Sequence, residues 1–395
     1  MQNFTHPLEN SKGDLQRLMD TVLDNRSRKQ DYIADTNMTQ VETVELDDGS
    51  RRTDMILEGD HGSPTARLAL NGVAFDQMNK KANVEIRTAR RLQQDYPQEF
   101  DAILNAIHVK ESKSVTLRTF AKPRLPSWPP QSGPATTGVL RAIVSSRFKT
   151  FDNEDLLEGA LVPLAESEAQ WEVVNAQVTD RRMYCRFKSR TIVGEAALGD
   201  VMAHGLGIEN SEVGEGSVSL ADILWTLACF NGFQRQNRFR AAHLTSSRSD
   251  SDTWALLTDE TKDLDNAALK SKIRDIATAF SSSESFEATL EKMRNASTDL
   301  VQGEAAKAVG RLGIVLKLSK PETSSVLEGL FKTLGQPGYV NRPLSRAHMV
   351  NAVTRAAHDA DPDDVTAWQL RGTEVLELPR GPWNLVAKAP DSIAA

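Results

Sequence analysis

Four stretches of the 395-residue chain interleave cations with aromatic rings. KESKSVTLRTFAKPRLPSW carries Arg118, Lys122 and Arg124 with Phe120 and Trp128, and RAIVSSRFK carries Arg141, Arg147 and Lys149 with Phe148. DRRMYCRFKSR carries Arg182, Arg186, Lys188 and Arg190 with Tyr184, and FQRQNRFR carries Arg235, Arg238 and Arg240 with Phe239. A single nucleic-acid strand needs both residue types, cations against its phosphates and flat rings on which its bases stack. Alternation along a strand through 181–190 would set Arg182, Tyr184, Arg186, Lys188 and Arg190 on one face. The competing reading is a set of solvated faces balanced by acidic segments elsewhere.

A second candidate is GIENSEVGEGS, where Glu209, Glu212 and Glu215 alternate with Gly207, Gly214 and Gly216. A phosphate cradle needs backbone amides and a helix N-terminus or lysine, and three glutamates would repel the anion. Clustered carboxylates could hold Mg²⁺ or Ca²⁺, although the spacing matches no calcium loop. The remaining reading is a polar turn whose glycines serve unusual backbone angles. Elsewhere the chain has no HExxH, no GxSxG elbow and no CxxC, and its two cysteines, Cys185 and Cys229, stand far apart. No metal, cofactor or catalytic set is therefore expected, and neither is a disulfide framework.

The net charge of -7 argues mildly against a dedicated nucleic-acid binder, yet the charge is segregated. Residues 1–60 carry thirteen acids against seven Lys/Arg, whereas residues 106–150 carry eight Lys/Arg against Glu111 alone. No window approaches eighteen consecutive apolar residues, and no basic n-region precedes an apolar core at the N-terminus. The expectation is a soluble cytoplasmic protein with no membrane partner.

The elements that must position these residues follow from periodicity and turn chemistry. An acidic N-terminal arm, residues 1–62, reads as an appendage with a hairpin at Asp48-Gly49. Residues 63–250 read as an α+β core. It begins with two or three helices over 64–108 and a strand at 115–120, followed by a long proline-rich loop. A strand at VLRAIVSSRF, a helix at FDNEDLLEGALVPLAES, two strands around Thr179-Asp180 and two more through VMAHGLGIENSEVG and GSVSL come next. ADILWTLACF then reads as a helix stopped by Asn231-Gly232. Residues 251–340 read as helical, and residues 341–395 as one or two closing helices, a short strand and a flexible tail. The fold class expected is α+β, an antiparallel sheet packed with helices in the central core and followed by a mostly helical C-terminal region.

Taken in order, Arg141-Ala142, Ser146, Asp152-Asn153, Asn210-Ser211-Glu212 with Gly214, Cys229 with Asn231-Gly232, and Asn351-Ala352-Val353-Thr354 resemble the phage/plasmid-like protein family catalogued as domain of unknown function 932. The resemblance spans roughly residues 65–380. Phe148 departs from its usual tyrosine, and Phe230 from a small polar residue. It implies a phage, prophage or plasmid setting, and the expected core is similar in topology to phage single-strand annealing recombinases. The expectation is a self-assembling, homo-oligomeric single-stranded DNA-binding protein of the host-cell cytoplasm that promotes annealing in recombination. Two alternatives stay open, a non-enzymatic interaction factor such as a defence antagonist or virion component, and a metal-dependent enzyme using Glu209, Glu212 and Glu215.

Overall fold

The computed structural model describes residues 11–58, 64–121, 133–227, 231–243, 257–336 and 339–388, and the fold is α+β, as expected. The first strands are β1 (Tyr32–Asp35), β2 (Thr39–Glu45), β3 (Arg51–Glu58), β4 (Pro64–Leu70), β5 (Ser114–Phe120) and β6 (Gly138–Ser145). They form one sheet in the order β1-β5-β6-β4-β3-β2, antiparallel except where β4 runs parallel to β6. The hairpin at Asp48-Gly49 forms: Gly49 takes φ 79° and the Asp48 carboxylate accepts from Ser50 N and Oγ at 2.9 and 2.6 Å. Three helices, α2 (Gly72–Lys81), α3 (Ile86–Asp95) and α4 (Pro97–Lys110), pack Phe75, Met78, Ala89, Phe100 and Leu104 against Met55, Leu68, Leu117 and Leu140 of the sheet. At its β2 edge, Asn105 of α4 bonds both Val41 N and Val41 O, and Asp101 accepts from Thr43 N, so the open backbone groups are blunted.

Two expectations are corrected here. Residues 64–70 are a strand, because Ala66, Leu68 and Leu70 are buried at a period of two and the helix starts only where Asn71 Oδ1 accepts from Ala74 N. The boundary drawn at residue 62 separates β3 from β4, which pair, so the acidic segment contributes strands to this sheet and is no appendage.

The second sheet is an antiparallel meander, β11-β10-β9-β8-β7 in space, built from β7 (Trp171–Val178), β8 (Met183–Ala197), β9 (Asp200–Asn210), β10 (Val218–Thr226) and β11 (Asn231–Ala241). One core joins Cys185, Phe187, Leu206 and Leu220 to α1 (Ser11–Arg28), α5 (Asn153–Glu166) and α6 (Asp259–Phe280) through Leu18, Val22, Leu156, Leu157, Ile273 and Ala277. A larger core joins Met202, Leu224 and Phe233 to α7 (Ser283–Thr298), α8 (Ala305–Val315), α9 (Lys320–Leu334), α10 (Arg346–Arg355), α11 (Val365–Leu376) and α12 (Arg380–Ala387).

Of the helix expected over ADILWTLACF, Ala221 to Thr226 belong to strand β10, which pairs with β9 on one side and β11 on the other. Every residue from Val218 to Thr226 is buried. A strand covered on both faces reads as a continuous apolar run, which periodicity cannot tell from a buried helix. Asn231-Gly232 opens β11 instead of closing a helix, and among the described residues the closing segment forms the helices α10, α11 and α12 without the short strand expected there. Cys229, Phe230 and the tail from 389 lie outside the described residues. Among those described, no helix is long and apolar enough to cross a membrane.

The two sheets meet where the 211–217 turn after β9 reaches β6 and α2. Val213 packs there with Val73, Ala142, Val144 and Phe148. Gly214 takes φ 77°, and a Cβ on it would stand 3.1 Å from Val144 Cγ1, so both backbone angle and space call for glycine.

Candidate functional site

This junction gathers residues that are far apart in the chain. Lys29, just past α1, places its amine 3.0 Å from Asp152, 3.0 Å from Glu154 and 2.8 Å from Glu212. Arg118 of β5 donates through Nε to Asp31 at 3.0 Å, through Nη2 to Asp152 at 2.8 Å and through Nη1 to the Glu212 carbonyl at 2.8 Å. Arg141 of β6 pairs with the other Glu212 oxygen at 2.7 Å, and the Asn153 backbone amide at the start of α5 donates to Glu212 at 2.8 Å. Oxygens of Asp152, Glu154 and Glu212 lie within 4.8 Å of one another, and the Lys29 ammonium is the cation they share.

The charges are mutually sustained. Burial alone would raise the pKa of Asp152, but Arg118 and Lys29 outweigh it and hold the carboxyl well below its ordinary range. Glu212 is likewise held low, with Arg141 foremost among the cations that overcome burial. Burial opposes the charge on Lys29 as well, yet Glu212, Asp152 and Glu154 keep its pKa above the usual lysine value.

Asn210 ties the other side. Its Nδ2 donates to Phe151 O at 2.9 Å and Asn153 Oδ1 at 3.0 Å, while its Oδ1 faces His243 Nε2 at 2.9 Å. The His243 ring stacks on Phe148, centroids 4.8 Å apart. Ser211 Oγ donates to Arg181 O at 2.8 Å and accepts from Glu215 N at 2.9 Å. The motif residues Arg141, Asp152-Asn153 and Asn210-Ser211-Glu212 therefore form one bonded knot.

Beside the knot opens a cleft of about 520 Å³. Arg28, Phe120, Arg141, Arg181 and Arg182 border it, with Asn25 and Asn71. The guanidinium carbons of Arg28 and Arg141 stand 4.5 and 4.4 Å from the Phe120 ring centroid, within cation–π range. Arg141 Nε is buried with no hydrogen-bond partner among the described residues.

No family model matches the chain, and no curated protein or solved structure is found similar to it. Its chemistry must be judged from the geometry.

That geometry redistributes the cations picked out in the sequence. Arg118 and Arg141 are inside the knot, and Phe148 is buried beneath it. The C-terminal region covers much of the stripe expected along β8. Tyr184 donates to Asp363 at 2.5 Å, and Arg186, 4% exposed, donates to Thr366 at 2.9 Å and pairs with Glu209 at 3.5 Å. Lys188 and Arg190 share Glu172 at 2.8 and 2.6 Å. Arg182 Nε donates to the Glu215 carbonyl at 2.9 Å, and Lys149 pairs with Asp265 at 2.9 Å. Arg147 and Arg240 are exposed, Arg240 donating to Ser217 at 3.1 Å, while Phe239 packs at the margin of a core. Lys122, Arg124 and the side chains of Arg235 and Arg238 lie outside the described residues.

The three glutamates of GIENSEVGEGS do not converge. Glu209 turns to Arg186 and Thr366, Glu212 to Lys29 and Arg141, and Glu215 to Arg181. Sequence inspection missed Lys29, Arg28 and Asp31 as partners of this site. Their only signal is the basic run RSRK ending a helical pattern, followed by an acid.

Proposed function

We propose that this protein binds single-stranded DNA without enzymatic turnover, assembles with further copies of itself and promotes pairing of complementary strands, in a phage or plasmid setting within the host cytoplasm. The observation that carries the reading is the cleft between the sheets. Arg28, Arg141, Arg181 and Arg182, drawn from three separate stretches of chain, border it together with the Phe120 ring. Cations beside an aromatic face are what a flexible strand requires, and a concave site adds to its grip. The motif resemblance supplies the phage or plasmid setting, and the annealing step rests on analogy of topology.

One observation favours a second reading, a protein-interaction factor. Among the described residues, six of the nine cations singled out in the sequence pair with carboxylates of the same chain, and the net charge is -7.

Fluorescence anisotropy of a labelled thirty-nucleotide strand, its duplex and the matching RNA, at low and high salt with mass photometry alongside, decides between them. Strand binding that weakens steeply with salt is expected. Exchange of both Arg28 and Arg182 for alanine should weaken it about tenfold at low salt. No binding at low salt together with a monomeric mass would sink the proposal and leave the interaction factor.

A further inference from the structure

On the far side of the 211–217 turn lies a second cleft, of about 530 Å³. Lys80 and Lys81, at the end of α2, line it from one wall and Arg240 of β11 from another, with Gly214 to Ser217 between; Lys81 also borders a smaller hollow shared with Glu111 and Lys113. Glu212 and Val213 line the first cleft and Gly214 to Ser217 the second, so a single turn divides the two.

The clefts differ in how their charge is answered. In the first, Arg141 meets Glu212, Arg181 meets Glu215 and Arg182 meets the Glu215 carbonyl. In the second, no carboxylate among the described residues lies within ion-pairing distance of Lys80, Lys81 or Arg240. The acid on this wall, Glu215, is already held by Arg181 at 3.3 Å and Gln77 at 3.5 Å. The Lys81 amine sits below its ordinary value, first because its surroundings are partly dehydrated and then because Lys113 is near. Lysines in the last turn of a helix are favoured by its dipole, which accounts for Lys80 and Lys81 but not for Arg240 on a different element facing the same hollow. Three cations around a concavity whose one lining carboxylate, Glu215, is already paired raise the local anion concentration.

We infer that this second cleft grips phosphodiester groups, so that one nucleic-acid strand crosses the 211–217 turn with phosphates at Lys80, Lys81 and Arg240 on one side and at the arginine-bordered cleft on the other. The inference rests on the strand-binding reading above. All three side chains are at the surface, so their removal should leave the fold intact.

The test compares the full-length protein with the combined Lys80→Ala, Lys81→Ala, Arg240→Ala variant, titrated against the thirty-nucleotide strand over a series of salt concentrations. Each phosphate contact to a single strand contributes about 0.7 to the slope of log affinity against log salt, so the variant's slope should be shallower by about 2. Its affinity at low salt should fall by about tenfold or more, with an unchanged melting midpoint. The pair Lys80→Gln, Lys81→Gln, which keeps Arg240 and its bond to Ser217, should flatten the slope by about 1.4 and guards against a folding defect in the triple variant. If the unaltered protein binds the strand and both variants keep its affinity and slope, the second cleft does not touch DNA and the inference fails alone. If the unaltered protein binds no strand at low salt, the inference falls together with the reading beneath it.

Discussion

Asp152 and Glu212 each meet two cations, Lys29 with Arg118 in one case and Lys29 with Arg141 in the other. Removing one member of such a buried set leaves its partners short of a counter-charge, and breaking a buried pair costs about 3–5 kcal/mol. Both carboxyls are held below their ordinary range, so the stability they contribute is present above about pH 4 and is lost as pH falls through their folded values. The Asp152→Asn chain should therefore be less stable than the unaltered protein by about 3 kcal/mol at pH 7. The gap should close as acid protonates Asp152 in the unaltered protein. Urea midpoints at pH 7 and in an acid series check this, and a constant gap would mean that Asp152 contributes by shape and not by charge. At this scale the sequence was only half legible. Arg118 and Arg141 stood out as cations beside aromatics, and they do lie near Phe148 and Phe120. Nothing in the local spacing shows that their counter-charges come from Asp31, Asp152 and Glu212, the last of them 94 positions from Arg118.

Among the elements, β5, β6, β7, β8 and α5 fall where alternation, turn residues and an acidic first turn put them. β4 and β10 do not, since short or doubly buried apolar runs carry no decisive period. What makes β10 a strand is its neighbours. Trp225 donates its indole N–H to the Phe187 carbonyl at 2.9 Å, and it does so across Gly205 of β9. A Cβ at Gly205 would overlap Trp225 Nε1 and stand 2.8 Å from that carbonyl oxygen, while one at Gly232 would come within 2.7 Å of the indole ring. Glycines on both flanking strands therefore make room for one large side chain. Gly205→Ala should destabilise the protein by about 1–3 kcal/mol in urea titration, through overpacking. Pairing it with Trp225→Phe, which removes the clashing nitrogen, should recover part of the loss. Strictly additive losses would show that the two positions are independent, contrary to the packing.

Across the whole molecule, the segregation of charge along the chain takes a different meaning. The acidic first sixty residues and the basic stretch from 106 to 150 fold into one assembly and exchange ion pairs with each other and with the rest of the chain. Asp31 answers Arg118, and Lys29 from the acidic segment answers Asp152 and Glu212. Within the first sheet, Asp54 and Glu42 answer Arg67. A charge imbalance read along the sequence thus reports internal pairing as readily as it reports a partner, and the two differ only in whether the cations stay paired once the chain is folded. The same folding turns α1 from an apparent arm into a strut. Leu18 and Val22 are buried against the second sheet's core, and Lys29 at its end fills the space among three carboxylates. Deleting residues 1–31 should therefore do more than remove an appendage. It uncovers part of an apolar core and leaves Asp152, Glu154 and Glu212 crowded without their shared cation, a combination of lost burial and unpaired charge. The expected outcome is a lower melting midpoint, a broadened transition and binding of a hydrophobic dye at temperatures where the full chain binds none. An unchanged midpoint and a sharp transition would mean that the two sheets and their helices hold together without α1, and that the buried ion knot is dispensable to the fold.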